Sequence, residues 1–532
     1  MLRKVNQSSV FNRQLAAGML SSILSGVLLT LAFNNGKLWI FPWFAFVPLF
    51  LTLDNKSLRQ TFLFFLITGI VFWAGTVYWL VNVTVIGTVL LILYLALYFA
   101  IFGLLIRPYL PAGRQGTRHW RIYILLLTPA VWILLEYTRS RLLSGFPWAL
   151  LGYSQYLNLP VIQSADITGI WGVSFLIMLV NVLIVEIVWS FKRRLWGRLK
   201  IIIISVVLLF SLILPYGYIR LASVNTVRTT QSPVRVAVIQ GNIPQALKWE
   251  VSARDFVMDR YFHLTTAALK DTPDLIIWPE ASLPVVLEEE PLYYARLVGW
   301  AKTIGRPMIF GAVTSRDGLY YNSALLLSQE GALQGRYDKL HLVPFGEYIP
   351  CRDTFSFLET IAPIGDISRG EKYTLFNVRS QDLENSAPVL SRPYQFGALI
   401  CFEDIFPELA RGFTKRGADF LVNITNDAWF GRTSEAYQHL AASVFRAVEN
   451  RVHLVRAANT GISGFIDPAG RAVFLVDGEG KAVFTSGYKT GNIFIRRQFS
   501  FYRRYGDLLI PICLLFLLYS AVFKRNQPER MR

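Results

Sequence analysis

Three segments of the chain end apolar runs on side chains that could do covalent chemistry. Glu280 closes Leu275-Ile-Ile-Trp-Pro-Glu280, Lys339 lies in Arg336-Tyr-Asp-Lys339-Leu-His341, and Cys401 follows Ala398-Leu-Ile and precedes Phe402-Glu403-Asp404. A cysteine attacks a carbonyl carbon as its thiolate, so it wants a base to take its proton and a cation to hold the developing charge. A carboxylate and an ammonium supply those two needs, and the chemistry they would support is acyl transfer through a thioester. Taken singly each residue is weak: a lone cysteine is most often a small buried hydrophobe, and a lone Glu or Lys a solvated or ion-paired surface group. Of the other two cysteines, Cys351 sits just past Glu347 and reads as incidental, since a disulfide to Cys401 would disable the nucleophile, while Cys513 falls in an apolar run and reads as packing. His341 is the one histidine near the proposed site, and no closely spaced set of His, Cys and carboxylate ligands points to a metal or other cofactor.

The elements that must position these groups are visible as an alternation. Short β-rich runs at residues 234–240, 274–278, 307–313, 322–327, 396–401, 420–424 and 454–458 alternate with helical stretches at 254–269, 292–303 and 435–450, which predicts a layered α/β domain over 234–497. Polar tips on apolar strands are how such folds present a site. The polar, proline-containing stretch 380–393 reads as a loop.

The rest of the chain belongs to another environment. Hydrophobic residues make up 53% of the 532 and charged ones 17%, against ~45–50% and ~25% in soluble domains. Apolar, uncharged runs at 15–33, 61–81, 86–106 and 201–219 approach the ~20 residues needed to span hydrocarbon. Four further runs, 38–53, 122–138, 170–191 and 508–523, carry prolines, single glutamates or a short length, and bring the expectation to eight spans. The run at 15–33 is read as a retained helix rather than a cleaved leader. With the N-terminus inside, the short inner segments hold 18 Lys and Arg and the outer ones only Lys37, Arg139 and Arg141, so both termini are expected in the cytoplasm and the α/β segment outside. The formal charge of +18 lies in those inner loops. From Arg220 to the start of the C-terminal tail there are 32 basic and 30 acidic residues, which removes the case for nucleic-acid binding. Within the spans, Glu136 and Arg139 at i+3 are expected to pair structurally, with recognition of a substrate headgroup as the lesser reading, and Glu186 to snorkel towards water or pair with Lys192. The basic insert 111–118 reads as a cytoplasmic loop.

The combination of Trp-Pro-Glu280, Lys339 and Cys401, about sixty residues apart each, resembles the carbon–nitrogen hydrolase (nitrilase) superfamily with its Glu-Lys-Cys triad. That resemblance implies a four-layer α-β-β-α sandwich, with Glu280 as general base, Cys401 as acyl-accepting nucleophile and Lys339 as oxyanion stabiliser. The membrane words Trp132-x-x-Leu135-Glu136-x-x-Arg139, Ser144-Gly-Phe-Pro-Trp148, Leu151-Gly-Tyr-Ser-Gln155 and Gly172-Val-Ser-Phe175 narrow it. So do Gln240-Gly-Asn-Ile-Pro-Gln245 with Lys248-Trp249, Pro344-Phe-Gly-Glu347-Tyr, and Asn426-Asp-Ala-Trp-Phe-Gly431. Together they are similar to the apolipoprotein N-acyltransferase family over nearly the whole chain.

What this implies is specific. Residues 1–221 would form membrane helices one to seven, 222–505 an extracytoplasmic catalytic domain, and 506–532 the eighth helix and a cytoplasmic tail. By position Glu347 matches a second glutamate supporting Lys339, Glu403 a residue associated with the site, and Trp249 a mobile lid, though Trp249 also reads as an interfacial anchor and Glu403 as an ion-pair partner. Phe402 departs from the tyrosine expected after the nucleophile. The implied partners are a phospholipid acyl donor, a diacylglyceryl apolipoprotein acceptor and membrane lipids, at a bacterial cytoplasmic membrane. Two rivals stay open on the residues alone: a membrane-tethered amidase that hydrolyses its thioester, and a transporter or scaffold with a dead nitrilase-like domain.

Overall fold

The computed structural model describes residues 2–34, 36–109, 118–228, 233–344, 346–348, 367–378, 394–495 and 498–525. Cys351, residues 111–117 of the basic insert and the 380–393 stretch lie outside them. Contacts divide the chain into two compact units, one comprising residues 1–81, 85–218 and 507–532, the other 82–84 and 219–506.

In the first unit, five helices among the described residues are long and apolar enough to cross a membrane: Arg13–Asn34, Leu58–Thr76, Val85–Tyr109, Ile170–Lys192 and Trp196–Asn225. The expected span at 122–138 is a helix, Arg118–Arg139, and that at 508–523 is the 17-residue helix Leu509–Arg525. The run at 38–53 is apolar but is not one continuous helix. It forms a single 3-10 turn, Phe41–Trp43, and a six-residue helix, Val47–Thr52, because Pro42 and Pro48 withhold the N–H groups a longer helix needs. The freed backbone is satisfied from elsewhere: Asn181 accepts from Phe46 N at 2.9 Å and donates to the Pro42 carbonyl at 2.7 Å, and Gln155 donates to the Trp39 carbonyl at 2.6 Å. That is the condition for irregular backbone inside an apolar unit. Gly69 lets Leu58–Thr76 close on Val85–Ile106, since a Cβ there would lie 2.9 Å from Ala96 Cα, the small-residue contact that draws apolar helices together.

One expected glutamate partner is corrected. Glu186 pairs with Arg198, one turn into the next helix, rather than with Lys192. Glu136 and Arg139 line one cleft and interact electrostatically, and each also holds backbone: Glu136 accepts from Leu151 N at 2.6 Å, and Arg139 Nη1 donates to the carbonyls of Phe146 and Trp148 at 2.6 and 2.9 Å.

The second unit is a sandwich of two sheets. The first has strand order β13-β1-β2-β4-β5-β6, with β3 beside β4, where β1 is Val234–Gln240, β2 Leu275–Ile277, β3 Leu283–Val286, β4 Met308–Arg316, β5 Leu319–Leu327, β6 Leu333–Asp338 and β13 Gly487–Ile493. The second runs β12-β11-β10-β9-β8-β7, with β7 Leu375–Val378, β8 Tyr394–Ile400, β9 Phe420–Thr425, β10 His453–Ala458, β11 Gly464–Ile466 and β12 Ala472–Phe474. The central neighbours β1, β2 and β4 are parallel, as are β8, β9 and β10, and such strands are buried on both faces. Alternation makes this concrete: Ala237, Ile239, Ile276, Trp278, Met308 and Phe310 pack with Val257, Tyr261 and Leu297 of the helices Arg254–Ala268 and Pro291–Ile304. Their neighbours Val236, Val238, Leu275, Ile277 and Ile309 are equally buried, on the face turned to the second sheet, where β1 packs on β10 and β5 on β8. Helices Pro407–Lys415 and Glu435–Asn450 cover the second sheet. The architecture is the α-β-β-α sandwich.

Candidate active site

Each of the three reactive residues leaves the end of a strand. Beyond β2 the chain passes Trp278 and Pro279 to Glu280 and turns at Ala281, whose φ is +45°. Room for that turn comes from Gly311 on β4, where a Cβ would lie 2.5 Å from Ala281 N and 2.6 Å from Glu280 Cα. Lys339 follows β6, its N–H bonded to the Asn322 carbonyl at 2.9 Å. Cys401 follows β8 at φ +53°, a left-handed conformation rare for a residue with a side chain, and opens the 3-10 turn Cys401–Ile405. Asn423 on the neighbouring β9 donates to the Cys401 carbonyl at 2.9 Å and helps to hold that turn.

The polar groups converge. Lys339 is 1% exposed, with Nζ 2.8 Å from Glu347 Oε1 and 4.0 Å from Glu280 Oε1. Burial alone would lower its pKa, but the carboxylates of Glu347 and Glu280 and the adjoining Cys401 outweigh that and raise it, so it stays an ammonium. Asn322 of β5, which no sequence argument singled out, donates one amide nitrogen to both glutamates, at 2.7 Å to Glu280 Oε1 and 3.0 Å to Glu347 Oε1. Glu347 Oε2 accepts from Val343 N at 2.9 Å. Burial and the facing Glu280 push the Cys401 thiol well above its ordinary pKa, with Lys339 and a hydrogen bond with Thr425 opposing. A thiol so held is neutral at rest and needs a base in the same step that makes it a nucleophile.

Glu403 is fully buried and does not open toward a ligand. It accepts from Leu340 N at 2.7 Å, His341 N at 3.1 Å, Ile400 N at 2.8 Å and the Tyr337 hydroxyl at 2.9 Å. Burial pushes its carboxyl up to about 7 against those donors and Lys339. Its place is structural: it ties the backbone after Lys339 to the backbone before Cys401. Trp249, by contrast, is 44% exposed and stands outside the hydrogen-bonded cluster. Phe402 stacks on Phe430 at 5.5 Å and meets His439 edge-on at 5.1 Å, and His341 lies against Phe406 at 3.7 Å.

Behind the nucleophile's turn lies a second feature that the sequence did not disclose. Arg456 on β10 donates to Asp404, Asn423, Ser443 and Asp427 at 2.9–3.2 Å and lies 2.7 Å from His439 Nδ1. Asp427, Glu435 and His439 are close enough to ligate a cation, but the Arg456 guanidinium already stands against His439 and Asp427, so the group works as an ion-pair network around the Cys401 turn. Its members come from five elements spread over residues 404–456 and share no spacing that a reader of the sequence could find.

Two comparisons bear on this geometry. Residues 25–183 match the apolipoprotein N-acyltransferase N-terminal domain, and residues 235–489 match the carbon–nitrogen hydrolase domain. The chain is 40% identical over 515 residues to the apolipoprotein N-acyltransferase of Geobacter metallireducens, covering 93% of each. It is 28% identical over 551 residues to that of Chlorobaculum tepidum, covering 97% of this chain and 98% of the other. A third relative, from Methylococcus capsulatus, is 34% identical over 391 residues, 73% of this chain and 71% of its own. Because the likeness runs the length of both units, through the membrane helices as well as the sandwich that gathers Glu280, Lys339 and Cys401, this chain belongs to the apolipoprotein N-acyltransferase family.

Proposed function

We propose that the protein transfers an acyl chain from a phospholipid to the N-terminal amine of a lipoprotein's diacylglyceryl-cysteine, through a thioester on Cys401. Glu280 takes the thiol proton, and sulfur attacks the acyl ester. Lys339, held by Glu347, stabilises the tetrahedral oxyanion until the lysophospholipid alkoxide leaves, reprotonated by Glu280. The incoming amine then attacks the thioester, Glu280 receives its proton, and the amide forms as the thiol is restored. The observation that carries this reading is the convergence of Lys339 with Glu280 and Glu347 beside Cys401 in a chain of this family. The membrane helices fit the same reading, since donor and acceptor are both lipid-anchored. Trp249, exposed beside the site's Lys248, serves as the lid that engages lipid or peptide, and 222–505 is the catalytic domain, on the outer face of the membrane.

Intact-mass analysis after incubation with phospholipid tests the first half-reaction. One acyl adduct is expected, lost in Cys401→Ala and kept in Cys513→Ala, and addition of a diacylglyceryl peptide should discharge it as N-acylated peptide. Glu280→Gln should slow adduct formation ~10²- to 10⁴-fold and Lys339→Ala ~10²- to 10³-fold. An adduct on the Cys401→Ala protein would remove the nucleophile assignment, and discharge to free fatty acid with the peptide untouched would turn the reading to a hydrolase.

A further inference from the structure

One buried charge beside the site has no part in that mechanism. Lys248 is 3% exposed, and its Nζ makes one hydrogen bond, to the backbone carbonyl of Glu280 at 3.0 Å. An ammonium has three N–H donors, and burying one on a single acceptor is costly when an apolar side chain could fill the same space. A charge kept at that cost points to a need for charge.

The site has such a need. Lys248 aside, Glu280 and Glu347 face one ammonium at rest, that of Lys339, at 4.0 and 2.8 Å. The group therefore carries one uncompensated negative charge before the thiol has lost its proton. Attack moves that proton to Glu280 and leaves the new charge on sulfur, then on the substrate oxygen, so Lys339 must serve Glu347 and the oxyanion together. The titratable groups that face Lys248 are Glu280 and Cys401, the two between which the proton moves.

Resting on the acyl-transfer reading above, we propose that Lys248 is the second cation of this site, a positioning residue that holds the Glu280 turn through its carbonyl and balances the charge that appears when Cys401 gives up its proton. It also joins two features the mechanism otherwise leaves separate, because the neighbouring residue is the exposed Trp249. Burial brings the Lys248 amine down to about 8, with Glu280 and Cys401 opposing. Its charge is thus present below that pH and lost as pH rises through it.

The test uses the full chain in detergent micelles and iodoacetamide, with alkylation followed on the Cys401 peptide by mass spectrometry across pH. Lys248→Met removes charge and donor, and Lys248→Gln keeps a donor for the Glu280 carbonyl without the charge. Both should alkylate about tenfold more slowly at pH 7, where Lys248 is charged, a one-unit rise in the thiol pKa, and should form acyl-enzyme from phospholipid more slowly in step, with the thermal midpoint kept. Single-turnover acylation of the unsubstituted protein should fall as pH rises above about 8, a limb that either variant lacks. Alkylation profiles in both variants that superimpose on that of the unsubstituted protein would overturn the role of Lys248. Alkylation needs no phospholipid, so an unsubstituted protein that alkylates normally yet never takes up an acyl group refutes the acyl-transfer reading instead.

Discussion

The amide of Asn322 is the smallest unit on which the arrangement turns. One nitrogen bonds both Glu280 and Glu347, at 2.7 and 3.0 Å, so two carboxylates that would repel share a donor as well as a cation. Replacing it with alanine should remove one charge-assisted bond from each, and such bonds contribute about 1.5–3 kcal/mol. We expect Asn322→Ala to slow acyl-enzyme formation roughly 10- to 100-fold at unchanged KM, and Asn322→Asp, which sets a third carboxylate against the first two, to be worse. Single-turnover acylation decides it: an active Asn322→Asp protein would mean that donation from this position does not matter. Glu280 and Cys401 stood out in the chain because each closes an apolar word, and Lys339 because of its spacing between them; their roles as a triad are what the acylation experiment tests. Asn322 did not stand out, because it lies 42 residues from Glu280 and looks there like any polar residue opening a strand. Glu403 was legible as a neighbour of the nucleophile but not in its role, which depends on N–H groups from the loop after Lys339 and from the end of β8.

At the scale of elements, the site depends on how closely strands approach. Strand β1 and the helix Glu435–Asn450 fall where the residue pattern put them, since both are long and strongly periodic. The strands β3, β11 and β12 have three or four residues each, too few for alternation to register. The segment at 38–53 was read rightly as apolar but not as one helix, since Pro42 and Pro48 divide it into two short pieces. Gly311 is where close approach and chemistry meet, because β4 there passes under the Glu280 turn. A methyl group at that point would meet Ala281 N at 2.5 Å, and a backbone atom cannot swing aside as a side chain can. Gly311→Ala should therefore cost about 1–3 kcal/mol or more of stability and displace Glu280 from its bonds to Asn322 and Lys339. Thermal unfolding together with single-turnover acylation checks this. A protein with full acylation activity and an unshifted midpoint would show that the Glu280 turn does not require the glycine.

For the whole molecule, the open question is which side of the membrane holds the sandwich. The distribution of Lys and Arg argues it, with 18 in the inner short segments against three in the outer, and a bias of that size sets orientation in multi-pass proteins. The stretch 193–200, the turn after the apolar helix Ile170–Lys192 together with the first residues of Trp196–Arg228, is the sharpest probe. It carries Arg193, Arg194, Arg198 and Lys200 within a few residues, and each would resist translocation. Gly197 in that segment has nothing within 4 Å of the position a Cβ would take, so a cysteine there should be tolerated and reachable by reagents in water. In a background with Cys351, Cys401 and Cys513 changed to alanine, Gly197→Cys in intact cells should resist a membrane-impermeant maleimide and react once the membrane is opened. Orientation then has a chemical consequence. With residues 193–200 inside, the single helix that follows carries the chain across to residue 234, so Cys401 would meet phospholipid in the outer leaflet. Labelling of Gly197→Cys from outside intact cells would invert the molecule and put Cys401 on the cytoplasmic face, where lipoproteins already exported could not reach it.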